Sequence, residues 1–91
     1  MLKIATVRFT GKVQKVFFRC ICKRIADDMN LKGWIQNNKD GSVTLVLNSF
    51  YTQTMEFLTL IYKEYAYNIQ KIEMEIISAS DFIYNDFEIK Y

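Results

Sequence analysis

The chain has 91 residues, 51% of them hydrophobic and 24% charged, the composition of one globular domain with a modest core. Its formal charge of +2, from 12 basic and 10 acidic residues, lacks the excess of a chain held mainly by nucleic-acid phosphates. Histidine is absent, which excludes the commonest general base, the commonest metal ligand and every Ser-His or Cys-His dyad.

No run approaches the roughly 18 apolar residues that span a bilayer. The opening Met1-Leu2-Lys3-Ile4-Ala5 leads straight into a strand pattern without a signal-peptide core. The expectation is a cytoplasmic domain over residues 1–91, monomeric, with no membrane or nucleic-acid partner.

From Leu2 to Thr10 β-rich residues alternate until Gly11, predicting a first strand. Phe18, Ile21, Cys22, Ile25, Ala26 and Met29 then recur at helical spacing, predicting a helix that ends near Asn30. On it Cys20 and Cys22 point to nearly opposite sides, so they cannot bridge each other, and Cys22 is expected in the core with Cys20 nearer the surface. Asp27-Asp28 lies late on the same helix and reads as a solvated face.

Leu31 to Asn37 and Ser42 to Asn48 are strand-like runs joined by Asn38-Lys39-Asp40-Gly41, where Asp-Gly suits a tight hairpin with a positive φ at Gly41. From Tyr51 to about Ala66, Met55, Phe57, Leu58, Ile61, Tyr62 and Tyr65 form a second helical stripe. Ile72, Met74 and Ile76 alternate with charged residues as a fourth strand, and Phe87, Ile89 and Tyr91 do so as a short closing one. Trp34, Phe9, Phe17, Phe18 and Phe50 are expected in core and rim packing.

The order βαββαβ with right-handed crossovers predicts a ferredoxin-like α+β sandwich. Its antiparallel sheet would be ordered 4-1-3-2 with both helices on one face and a short extra C-terminal strand. Such a fold hosts many functions, so the site has to come from residues.

Strands one and two run the same way with strand three between them, so their C-terminal ends share an edge about 10 Å apart. That gap fits an arginine side chain, one phosphate and one water. The loop Gly11 to Phe18 opens into the first helical turn at Arg19, and its backbone N–H groups are candidates for an anion cradle. Arg19 adds a forked donor matched to phosphate oxygens. At the end of strand two, the neutral amide of Asn37 can accept from and donate to a water without taking its proton.

The segment Gly11-Lys12-Val13-Gln14-Lys15-Val16-Phe17-Phe18-Arg19 resembles the acylphosphatase signature G-x-V-Q-G-V-x-F-R. Gly33-Trp34-Ile35-Gln36-Asn37, followed by Asp40-Gly41, resembles its G-W-V-x-N…D-G segment, and the spacing of the two is also similar. The resemblance implies hydrolysis of the carboxyl-phosphate bond of acyl phosphates to a carboxylate and inorganic phosphate, without cofactor, metal or covalent intermediate. By it Arg19 matches the phosphate-binding arginine, Asn37 the water-orienting asparagine, and Gln14 to Phe18 the phosphate loop.

Two departures stand out. Members often carry Gly-Pro where this chain reads Lys63-Glu64-Tyr65-Ala66-Tyr67-Asn68, and Lys15 stands where the pattern has glycine. A loop converging on an anion often needs positive φ, so Lys15 is expected to strain it; the other reading is added positive charge. An alternative function is a domain whose altered loop binds phosphate without turnover. An RNA-binding module would need exposed aromatics on its central strands, and Ser42 to Asn48 has none.

Overall fold

The computed structural model describes all 91 residues. β1 (Leu2–Gly11), α1 (Phe18–Asp28), β2 (Lys32–Asn37), β3 (Val43–Phe50), α2 (Tyr51–Tyr65), β4 (Ile69–Ser78) and β5 (Phe87–Lys90) follow in chain order. They form one sheet, β4-β1-β3-β2-β5, with the first four strands antiparallel and β5 parallel to β2. The expected 4-1-3-2 order is present, and the closing strand makes the sheet mixed by adding to its β2 edge.

Period-two alternation sorts the sheet into two faces. Ala5, Val7 and Phe9 of β1, Leu45 and Leu47 of β3 and Ile35 of β2 are fully buried beneath the helices, while Thr6 and Arg8 look the other way. Phe18, Cys22 and Ala26 of α1 and Phe57, Leu58, Ile61 and Tyr65 of α2 complete that core. Burying a leucine- or phenylalanine-sized side chain contributes about 1.5–3 kcal/mol, so this face is what commits both helices to one side.

Tyr62, counted in the apolar stripe, is exposed because the inward face runs through Thr54, Phe57, Leu58, Ile61 and Tyr65 and leaves Tyr62 beyond its edge. Thr54 is buried with its hydroxyl 2.8 Å from that of Ser49, so each satisfies the other. Phe9 and Phe18 lie in the core as expected, but Phe17 is 80% exposed and Phe50 45% exposed. Cys22 is buried, which pushes its thiol up and out of the reactive range, and Cys20 is exposed. No helix is long and apolar enough to cross a membrane.

Candidate functional site: the loop after β1 and the end of β2

β1 leaves the sheet through a bulge, where pairing with β4 shifts between Thr10 and Gly11. Gly11 has φ 130, and a Cβ there would stand 2.2 Å from the Asn68 carbonyl oxygen. Only glycine lets the two backbones approach so closely. Four anchors then fix the loop. The Lys12 N–H donates to the Asn68 carbonyl at 2.9 Å, Val13 is fully buried, and Gln14 Nε2 donates to the carbonyls of Asn38 (2.7 Å) and Ser42 (2.8 Å). The Tyr65 hydroxyl donates to the Val16 carbonyl at 2.9 Å.

The side-chain amide nitrogen of Gln14 is therefore committed to the β2–β3 turn. From Lys15 to Arg19 the backbone N–H groups have no acceptor within the protein, and the first bond of the α1 ladder runs from Ile21 N–H to the Phe17 carbonyl at 3.0 Å. These are the free donors of a helix N-terminus, where the partial positive charge of the peptide dipoles also gathers. Gln14, Lys15, Phe17, Phe18, Arg19 and Cys20 line a recess of about 240 Å³ around them.

The expected strain at Lys15 is not there. The left-handed residue of this loop is Phe17, with φ 59 and ψ 22 at the N-cap of α1, and Lys15 keeps a negative φ. The sharp reversal that frees the N–H groups falls at the residue before the helix, so the sequence position carrying the family's glycine needs no glycine in this chain. Phe17 also stands out into solvent instead of packing at the rim.

Arg19 is half-buried, with its guanidinium 5.0 Å from the centre of the Tyr91 ring and no carboxylate partner. Asn37 ends β2 on the helix-covered face, since it alternates with Gly33 and Ile35 and pairs with Val43. Its Oδ1 is buried without a hydrogen-bond partner. An unspent buried acceptor costs about 1–3 kcal/mol, which sets this oxygen apart from an ordinary turn residue. Asn37 is not in the lining of the Arg19 recess; it ends β2, which runs parallel to β1 with β3 between them, on the same sheet edge.

The β2–β3 turn that holds Asn37 is itself braced. Gly41 has φ 93 as the Asp-Gly pair requires, and Asn38 Nδ2 donates to Ser42 Oγ at 2.9 Å and Thr44 Oγ1 at 2.8 Å. The Asp40 carboxylate accepts from the Ser42 hydroxyl and from its N–H, and pairs with Arg8, which also pairs with Glu73. Ser42, more than Arg8, holds the Asp40 carboxyl down to about 2. No group of three or more His, Cys, Asp or Glu residues gathers anywhere as a metal site.

Sequence reading missed the roles of Tyr65, Asn68, Asn38 and Arg8. Tyr65 and Asn68 fall in the stretch without the usual Gly-Pro, and the Asn68 N–H bonded to the Tyr65 carbonyl at 2.9 Å closes α2 there without proline. Only the fold reveals that this stretch touches the β1–α1 loop.

Fold and edge together describe a small ferredoxin-like sandwich whose first loop offers free amides and an arginine to an anion. The chain belongs to the acylphosphatase family, whose sequence pattern matches residues 5–89. It is 37% identical over 87 residues to an acylphosphatase of Borrelia garinii subsp. bavariensis, spanning 90% of this chain and 91% of that one. The crystal structure of acylphosphatase from Bacillus subtilis superposes over the whole of both chains with a TM-score of 0.82 at 25% identity. An acylphosphatase from Coxiella burnetii gives 0.79 at 26% identity, over 98% of this chain and 93% of that one.

Proposed function

We propose that the chain is an acylphosphatase that cleaves acyl phosphates into a carboxylate and inorganic phosphate, with water as the nucleophile. The phosphoryl oxygens sit on the free N–H groups between Lys15 and Arg19 and on the Arg19 guanidinium. The Asn37 side-chain amide hydrogen-bonds the attacking water and fixes its approach. The run of N–H groups from Lys15 to Arg19 without acceptors, beside an Arg19 guanidinium that no carboxylate claims, is the observation that carries the reading.

In the reaction the water oxygen forms a new bond to phosphorus while the phosphorus–oxygen bond to the acyl group breaks. The electron pair leaves on the carboxylate oxygen, and the water's proton passes to the phosphate product or to solvent. The carboxylate is a good leaving group, so no strong general base is required, which suits a chain without histidine. Fixed donors that meet the equatorial oxygens as charge redistributes lower the barrier electrostatically. Purified protein incubated with benzoyl phosphate should release phosphate well above the uncatalysed rate, equally with and without a chelator. Tight phosphate binding with no release would favour the phosphate-binding alternative.

A further inference from the structure

A second recess, of about 370 Å³, lies against the first, and Gln14 and Lys15 line both. At about 30 Å³ per water-sized group, it has room for roughly a dozen heavy atoms, far more than an acetyl group needs. Its other lining includes Lys12, Val16, Gly41 and Asn68, and no acidic residue. Lys12 and Lys15 are exposed and neither has an ion-pair partner, unlike Arg8, Lys23 and Lys71.

In-line attack fixes where the acyl group leaves. Water held by Asn37 comes from the β2 side, so the leaving oxygen points away from it, across the β1 end toward β4. The second recess reaches that side, running over the loop after β1 from Gly41 of the β2–β3 turn to Gly11 at the end of β1 and Asn68 just before β4. From this placement we infer that the recess receives the acyl group, and that Lys12 and Lys15 select acyl phosphates carrying a second anionic group. The inference rests on the acylphosphatase reading and adds a substrate class to it. Lys15, in place of the pattern's glycine, then acts through its charge.

The test compares 4-carboxybenzoyl phosphate with 4-methylbenzoyl phosphate, two rigid substrates of similar size, each rate divided by its own uncatalysed hydrolysis. The unaltered protein should show a higher normalised kcat/KM for the carboxylate substrate, with each lysine responsible for about two- to fivefold, the range for an exposed ion pair. Lys12→Gln and Lys15→Gln should each lower that ratio, and rising salt should do the same as the screening length shortens. Thermal midpoints of the variants check that the fold is retained. Hydrolysis of both substrates with a ratio near one, or a ratio that neither lysine variant changes, overturns this inference and leaves the parent reading standing. Hydrolysis of neither substrate overturns the acylphosphatase reading, and this inference falls with it.

Discussion

Arg19 and Asn37 divide the proposed chemistry between binding and placement, and their substitutions should separate accordingly. Arg19→Ala removes a forked, charge-assisted donor and should weaken phosphate binding by about 1.5–3 kcal/mol while abolishing most turnover. Asn37→Ala should lower kcat with little change in phosphate affinity, since it loses only the water's position. Kinetics together with phosphate titration resolve the two; unchanged turnover in either folded variant removes that residue from the mechanism. Phe17 poses a different question, because its left-handed φ of 59 costs a non-glycine residue about 1–2 kcal/mol and its ring, 80% exposed, recovers little by burial. Phe17→Gly relieves that strain but gains unfolded-state freedom, for a net stabilisation of about 0.5–1 kcal/mol in urea denaturation. A destabilised Phe17→Gly would mean that contacts of the ring outweigh the strain.

At the scale of elements, the loop after β1 and the β2–β3 turn act as one unit, joined by the Gln14 side chain and braced by Asp40. Asp40 has a lower pKa in the folded chain, about 2, than its ordinary 3.8. A depressed carboxyl stabilises the fold fully above its unfolded pKa and loses that contribution as pH falls through the folded one. Asp40→Asn should therefore be less stable than the unaltered chain near neutrality, and the gap should close between about pH 4 and pH 2. A gap that stays constant over that window would assign Asp40 no role in bracing the turn. Element order was legible because alternation and helical spacing are local: β1, the hairpin around Asp40-Gly41 and the α1 stripe all lie where the residues predict them. Pairings of distant segments were not legible. The Tyr65 hydroxyl on the Val16 carbonyl and the Asn68 carbonyl on the Lys12 N–H join residues about 50 positions apart, and no pattern in either segment announces the other. The misplaced strain had a similar origin, since a glycine in a family pattern does not say which neighbouring residue will make the reversal.

At the scale of the whole molecule, the sheet carries the ends of two parallel strands to one edge, and the strand between them sets their separation. That the ends of β1 and β2 share an edge was legible in the sequence, because strand order alone dictates it. The side of the loop on which an acyl group would lie was not, because it depends on where β4 begins. If the free amides of the loop form a preorganised anion site, inorganic phosphate should raise the thermal midpoint by mass action, and sulfate should behave similarly. Absence of any shift with millimolar phosphate would argue against preorganisation. The measurement that tests the central claim most directly is hydrolysis of benzoyl phosphate in ¹⁸O-labelled water, with the label followed in both products. Attack on phosphorus by a water placed by Asn37 puts the label in inorganic phosphate and none in benzoate. Label in benzoate would show attack at the acyl carbon and contradict the proposed roles of Arg19, Asn37 and the phosphate-binding loop.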